Sequence, residues 1–200
     1  MDGYNYDVVA IGVQCWFAEN LRTTTYSGGT SIPEVTGSVA WSGLSSGARC
    51  DYDNVASNVA TYGRLYNRYA VDDSRGLCPS GWHVPTDEEW IVLEMELGMS
   101  ESDANSTGWR GTDQGTQLKS TSGWSNNGTD NFGFSALAGG SRNDIDGGFV
   151  NAGSDGFWWS LTSYGGVAWY RFLYAYSPDI LRSYDDPRYG FSVRCLRDAE

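Results

Sequence analysis

The closing fifth of the chain, residues 157–196, constrains the fold most, because two kinds of residue alternate along it. Apolar and Arg side chains recur at every second position, as at Trp169, Arg171 and Leu173, and mostly Tyr, Phe, Ser or Asp stand between them. A period of two is typical of a strand with one buried and one exposed face. We therefore predict strands over residues 157–163, 168–176, 179–184 and 190–196.

The two interleaved sets predict a scaffold and a binding surface. The scaffold set is Trp158, Trp169, Arg171, Leu173, Ile180, Arg182, Phe191 and Val193. In the second set, Tyr offers large rigid contact area and short polar residues offer adaptable hydrogen bonds. The predicted ligand-binding residues are Tyr164, Gly165, Tyr170, Phe172, Tyr174, Tyr176, Asp179, Leu181, Ser183, Tyr184 and Asp185. The alternative is that these are ordinary strand residues, since Tyr favours strands.

Two upstream segments show helical spacing. Tyr and Leu side chains recur every three or four positions between Tyr62 and Ala70, which predicts an amphipathic helix packed on the core. Thr86 and Glu89 predict a capping box, and Gly98 predicts the end of that second helix. Its acidic first turn complements the helix dipole, and we prefer this interpretation to a catalytic carboxylate cluster.

The remaining chain is predicted to be short strands and loops. Alternation from Tyr4 to Val13 indicates a strand with a bulge near Val8, followed by a second strand at residues 15–17. Residues 22–57 carry turn signals. Residues 99–156 are rich in Gly, Ser, Asn, Asp and Thr, and we expect this long insertion to be ordered and pinned by its aromatic residues, Trp109, Trp124, Phe132, Phe134 and Phe149.

Length and charge restrict the classes of function. A chain of 200 residues, 1–200, is expected to form one domain. Its formal net charge of −12 argues against a nucleic-acid partner, and no apolar run approaches the roughly 18 residues that a membrane span needs. Because an apolar alternation begins within a few residues of Met1, we expect a domain of a longer polypeptide.

Four cysteines, Cys15, Cys50, Cys78 and Cys195, lack the spacing of a zinc site. An even count of widely separated Cys residues favours two disulfides and an oxidising destination, and four free thiols are the alternative. Three pairings of the four are possible.

Neither a metal nor a catalytic centre is predicted. The run from Asn143 to Gly147 faintly resembles a calcium loop but lacks the closing acidic residue, so we prefer an Asx-rich turn, with structural calcium as the alternative. His83 is the only histidine and stands just before the capped helix, where a hydrogen-bonded structural role is favoured over a general base. We therefore expect no catalytic residue, no metal and no cofactor.

Several blocks carry a family resemblance: IGVQCWFAENLRTT, ARCDYDN, TYGRLYNRYAV, LCPSGWHVPTDEEW, FSALAGGSRN, FWWS and GFSVRCLRD. The sequence resembles the bacterial Fib_succ_major paralogous domain across nearly its whole length. The resemblance implies an α+β, C-type-lectin-like fold related to formylglycine-generating enzymes. It would have two helices, a small, mostly antiparallel sheet, long irregular insertions, and paired N- and C-terminal strands. It also implies bonds between Cys78 and Cys195 and between Cys15 and Cys50.

The same resemblance implies a function. Domains of this kind serve as variable proteins of diversity-generating retroelements, in which adenine-directed mutation changes outward residues of the C-terminal segment. We expect a non-catalytic receptor or adhesion domain on a virion tail or cell surface, with residues 157–196 binding a protein or glycan. The lectin signature for calcium-dependent sugar binding, EPN or QPD followed by WND, is absent. The alternatives are a carbohydrate-binding or structural module of a larger surface protein, and an enzyme of the formylglycine-generating type.

Overall fold

The computed structural model describes residues 3–199, so the predicted domain limits at residues 1 and 200 lie outside the described residues. The fold is of the α+β class, with short helices and several small antiparallel sheets. The helices are α1 (Ser38–Ser42), α2 (Val59–Tyr62), α3 (Arg68–Val71), α4 (Asp87–Glu96), α5 (Glu101–Asn105) and α6 (Gln114–Leu118). Two 3₁₀ turns span Tyr52–Asn54 and Ala56–Asn58.

Eleven strands are present in the described residues. They are β1 (Val8–Ile11), β2 (Gln14–Phe17), β3 (Arg49–Cys50), β4 (Leu65–Tyr66), β5 (Gly108–Arg110), β6 (Ser141–Arg142), β7 (Phe149–Val150), β8 (Asp155–Tyr164), β9 (Val167–Tyr174), β10 (Ile180–Asp185) and β11 (Leu196–Asp198). The largest sheet has the order β5-β10-β9-β8, and a second has the order β1-β2-β11. β3 pairs with β4, and β6 with β7, in two small sheets.

The capped helix is confirmed as α4. The Thr86 hydroxyl accepts a hydrogen bond from the Glu89 backbone, and the Glu89 carboxylate accepts one from the Thr86 backbone. These bonds satisfy amide groups that the first turn of a helix would otherwise leave without partners. Trp90, Leu93 and Leu97 then pack into a core shared with β8, β9 and β10, so α4 supports the largest sheet from one side.

The helix predicted between Tyr62 and Ala70 is wrong. The chain instead forms α2, then β4, then α3. Gly63 separates the first two with a φ of 73°, a conformation in which L-residues are strained, and a Cβ there would lie 2.6 Å from Asn20. Because Tyr66 exchanges backbone hydrogen bonds with Phe191, tertiary pairing overrides the helical spacing.

The strand predictions for the largest sheet are confirmed as β8, β9 and β10, and those at the chain ends are partly wrong. The alternation from Tyr4 to Val13 yields β1 alone, which turns at Gly12 into β2. Tyr6 lies before β1 and stacks on Phe17. Residues 190–196 do not form one strand, because Phe191 and Ser192 bridge to different partners, and the last strand is β11.

The polar insertion, residues 99–156, is ordered and contributes to the largest sheet. It contains α5, β5, α6 and the β6–β7 pair. Trp124 and Phe134 are buried and anchor it as expected. Trp109 and Phe132 are exposed, so those two aromatic residues do not act as core anchors.

One disulfide is present, between Cys78 and Cys195, as the resemblance implies; it connects the segment before α4 to the residue preceding β11. The implied bond between Cys15 and Cys50 is wrong, and both are free thiols. Cys15 lies on β2 opposite Ala10, whereas Cys50 lies on β3 in a separate buried cluster. Their positions in different sheets explain why they do not pair.

Candidate ligand-binding surface

The two faces of the largest sheet have different surroundings. One face, here called the helix face, packs on α4 through residues such as Leu173 and Ile180. The opposite face is covered by core residues, including Phe191, only over the part that holds Trp159 and Tyr170. The rest of that second face is partly open to solvent.

A buried ionic network fastens the helix face to α4. Asp87, in the first turn of α4, pairs with Arg171 on β9 at 2.6 Å and with Arg182 on β10 at 2.5 Å. Glu94, about two turns further along the same face of α4, pairs with Arg171 at 2.6 Å and with Arg110 on β5 at 2.8 Å. These five residues, here called the Arg network, therefore connect three adjacent strands to one helix.

Charge and burial compete at Asp87. Burial alone would raise the pKa of its carboxyl, but hydrogen bonds and charges from Arg182 and Arg171 outweigh burial and lower that pKa. Asp87 is therefore held as a carboxylate. Each Arg has a planar fork of donors that suits such a pair, so the network fixes the angle between helix and strands as well as their separation.

Aromatic rings form a continuous row on the open part of the second face. Phe172 stacks on Phe157 with ring centroids 4.4 Å apart, and Trp109 lies 5.3 Å from Phe172. Tyr174 and Tyr176, with centroids 5.5 Å apart, extend the row beyond the end of β9. Together with Leu181, which pairs with both Phe172 and Trp109, these residues are here called the aromatic stripe.

Exposure along the stripe is high for aromatic side chains. Trp109 is 45% exposed, Tyr174 38% and Tyr176 63%, while Phe157, Phe172 and Leu181 are half-buried. Tyr and Trp are the side chains most enriched at binding hot spots. The stripe thus offers a rigid apolar surface with polar hydroxyl tips.

Tyr170, predicted as a ligand-binding residue on the surface, is instead buried. It is only 9% exposed, and its ring lies 5.1 Å from Phe191 and 6.4 Å from Trp159. Phe191 covers this part of the second face, so Tyr170 faces the same side as Phe172 but lies in the core. Burial raises the pKa of Tyr170, and its hydroxyl hydrogen-bonds with Ser183.

Tyr164 and Tyr184 lie on the helix face of the sheet, apart from the stripe. The pairing of Tyr184 with Trp169 places it on the same face as Arg182. Tyr164, Trp169 and Tyr184 form a cluster with centroids 5.0 to 5.6 Å apart, beyond the end of the Arg network. The residues predicted to form one binding surface therefore lie on two opposite faces of the sheet.

The other predicted residues lie at the edges. Gly165 is exposed in the β8–β9 turn, and Asp179 is half-buried just before β10. Asp185 is half-buried at the end of β10, where burial and then the charges of Asp144 and Asp186 raise its pKa. Ser183 is also half-buried, between the stripe and Asp185.

Lys119 fixes the turn that carries Tyr176. Lys119 is 2% exposed, and its ammonium group donates to the carbonyl oxygens of Tyr174, Ala175 and Ser177 at 3.0 to 3.1 Å. Three donors therefore meet three acceptors, and the turn is tied to α6 and the polar insertion rather than left mobile. Burial lowers the pKa of Lys119.

The predicted Asx-rich turn occupies the loop that resembles a calcium site. Asn143 Oδ1 accepts from the backbone of Ile145, and Asp146 Oδ1 accepts from the backbone of Gly148. Among residues 3–199, no group of three or more His, Cys, Asp or Glu side chains is arranged to hold a metal. His83 hydrogen-bonds to Glu89 at 2.7 Å.

Sequence reasoning missed Trp109 and Phe157 as surface residues. On β8, Phe157 lies on the same face as Trp159. Because Trp158 was predicted to face inward, alternation along the strand would have placed Phe157 on the outer face, beside Phe172. Trp109 has no such signal, because β5 is three residues long and joins the sheet from within the polar insertion.

Comparison with known proteins gives a family match. The family model described as Fibrobacter succinogenes major domain (Fib_succ_major) matches residues 9–197. No curated protein and no solved structure gives a significant match. No helix within residues 3–199 has the length and apolarity needed to cross a membrane.

Proposed function

The chain belongs to the Fibrobacter succinogenes major domain family, and from that premise we propose that it is a non-catalytic ligand-binding domain whose aromatic stripe contacts a protein or glycan on a cell surface. The observation that carries the proposal is the contrast in burial between the two faces of the same strand. Arg171 is 1% exposed in the Arg network, while Tyr174, three positions along the same strand, is open to solvent. A rigid frame thus supports a surface of the composition found in paratopes.

The energetics of the stripe favour binding. Exposed aromatic side chains lose little conformational entropy on binding, because their rotamers are few and neighbouring rings already restrict them. Phe172 contacts Phe157, Trp109 and Tyr174. A ligand that covers the stripe would therefore gain apolar burial at a small entropic cost.

We further propose a C-type-lectin-like fold. The disulfide from Cys78 to Cys195 joins the segment before α4 to the end of the chain, and β11 pairs with β2 near its start. Both features are those that the family resemblance implies. The bond also favours an oxidising location, such as a virion or cell surface.

The more specific proposal is a variable protein of a diversity-generating retroelement. Exposed or half-buried residues of the C-terminal segment have the Tyr, Phe, Leu, Ser and Asp identities that adenine-directed mutation of AAC codons yields. The intervening Arg171, Leu173, Ile180 and Arg182 are buried. Substitution could then change the surface while the frame stays constant.

Genome context tests this proposal. We expect a reverse-transcriptase gene next to the coding sequence, with a near-copy of its 3′ end, the template, and with differences between the two copies only at positions where the template has adenine. The codons that differ should include those for Phe172, Tyr174 and Tyr176. A neighbourhood without a reverse transcriptase, or a near-copy that differs equally at all four bases, would refute the retroelement role and leave the ligand-binding proposal to binding assays.

Exposed Trp109 favours a glycan as the second candidate ligand, because indole rings can stack on sugar faces as well as on protein side chains. Screening on a glycan array and against surface proteins separates the two classes.

For the formylglycine-generating alternative, a reactive thiolate is needed. Burial raises the pKa of Cys50 to about 12, which does not favour such a thiolate there.

A further inference from the structure

A concave site lies away from the aromatic stripe, beside the disulfide. It has a volume of about 340 Å³, and none of its lining residues belongs to the stripe. Its apolar wall consists of Val71, Leu77, Trp82, Val84 and Leu161. Three of these residues, Val71, Leu77 and Val84, are buried members of the core beneath the cavity, so the wall is fixed by packing.

His83 provides a polar group in this wall, and its hydrogen bond defines the tautomer. The carboxylate of Glu89 can only accept, so His83 Nε2 carries the proton that is donated to Glu89 Oε1 at 2.7 Å. Glu89 is itself fixed, because its other oxygen accepts from the Thr86 backbone at 2.7 Å. In the neutral ring, Nδ1 is then a hydrogen-bond acceptor, and it has no partner among residues 3–199.

Other charged groups at the rim are already paired. Asp72 pairs with Arg68 at 3.2 Å, and Asp73 pairs with Arg75 at 2.7 Å. Both carboxylates are thus engaged by Arg partners, whereas the imidazole stands between Trp82 and Val84 of the apolar wall. A ligand that fits should be apolar over most of its surface and should carry one donor.

We propose that this cavity binds a small aromatic ring bearing a hydrogen-bond donor, such as a phenol, with the donor directed at His83 Nδ1. Size supports the assignment, because an apolar cavity of roughly 150 Å³ already holds benzene. The larger volume here leaves room for a substituent. The site is independent of the proposed function, since it lies outside the stripe.

Methyl-detected NMR titration with phenol and with anisole tests the proposal on the unmodified protein. The two probes have a similar apolar body, but anisole lacks the donor. We expect saturable shifts of the Val71, Leu77, Val84 and Leu161 methyl groups with both probes. Phenol should bind about threefold to tenfold more tightly, the range that one neutral hydrogen bond supplies. Absence of saturable shifts, or equal affinity for the two probes, overturns the assignment.

Two variants and a control complete the test. His83→Leu removes the acceptor and keeps an apolar wall, so it should make the two affinities equal. Leu161→Trp fills the cavity and should abolish both shifts. Val39→Ala, at a position that is 87% exposed and outside the cavity lining, should change neither. A preference for phenol that persists in His83→Leu, or binding that persists in folded Leu161→Trp, contradicts the proposed site.

Discussion

Arg171 on β9 donates to Asp87 in the first turn of α4, with 2.6 Å between Nη1 and Oδ1, and both side chains are buried. The pair fastens the middle of the largest sheet to the helix that supports it. Since Arg182 shares the same carboxylate, one acidic residue holds two neighbouring strands. The opposite side of those strands carries the aromatic stripe.

Asp87→Asn should destabilise the protein strongly. Loss of the carboxylate leaves Arg171 and Arg182 buried without their shared countercharge, which typically costs about 3–5 kcal/mol. For a chain of this size, that corresponds to a fall in melting temperature of about 6–20 °C. Thermal unfolding followed by circular dichroism measures it. The matched control is Asp73→Asn, which breaks a more exposed pair with Arg75 and should cost at most about 1 kcal/mol. Equal losses of stability in the two variants would show that the Arg network contributes no more than a surface pair.

Stability should fall at acid pH through Asp87. Its pKa is lower in the folded than in the unfolded chain, so the unfolded state binds protons more readily as the pH decreases. The stabilisation is complete above the unfolded value of about 3.9 and is lost as the pH falls below it through the folded pKa. Urea unfolding between pH 6 and 2 should show this loss in the wild-type protein and a smaller one in Asp87→Asn. Parallel curves for the two proteins would contradict the assignment.

Lys119→Met should loosen the turn that carries Tyr176 while the sheet stays folded. The substitution leaves three carbonyl oxygens, those of Tyr174, Ala175 and Ser177, without their donor. Hydrogen exchange of the Ala175 and Ser177 amides, which are hydrogen-bonded to Ser154 and Tyr174, should accelerate by about tenfold or more, because a hydrogen bond to a charged group contributes about 1.5–3 kcal/mol. Amides of β8 serve as the internal control. Unchanged exchange at the turn would mean that Lys119 does not hold it.

The sequence was sufficient to predict elements whose signals are local. The capping box around Thr86 and Glu89 uses groups three residues apart, and α4 begins where it predicts. Period-two alternation likewise predicted β8, β9 and β10. The false helix between Tyr62 and Ala70 shows the limit, because Tyr66 pairs with Phe191, 125 residues later, and no local pattern contains that contact.

The candidate site was predictable in its residue types more than in its geometry. Alternation correctly separated buried Arg171 from exposed Tyr174. It could not show that Phe191 covers Tyr170, nor that Tyr184 lies on the helix face beside Trp169. Those outcomes depend on which elements lie over each part of the sheet, and that arrangement is set by long-range packing.

The cysteines should differ in reactivity. Mass spectrometry without reduction should find the Cys78–Cys195 bond and no bond between Cys15 and Cys50. In the native protein, alkylation should label half-buried Cys15 well before Cys50, which is buried and whose pKa is raised to about 12. Prior unfolding in denaturant should make both react at similar rates. A linked Cys15–Cys50 peptide would contradict the structure.

Saturation mutagenesis, with surface display of the folded protein as readout, tests whether a fixed buried frame supports a replaceable surface. Substitutions at Tyr174 and Tyr176, Ala included, should leave display near wild type, because exposed positions usually change stability by about 0.5 kcal/mol or less. Substitutions at Arg171 and Leu173 should abolish display, since buried losses cost about 2–5 kcal/mol. Equal intolerance at all four positions would place the two Tyr residues in the structural core and contradict the binding-surface account.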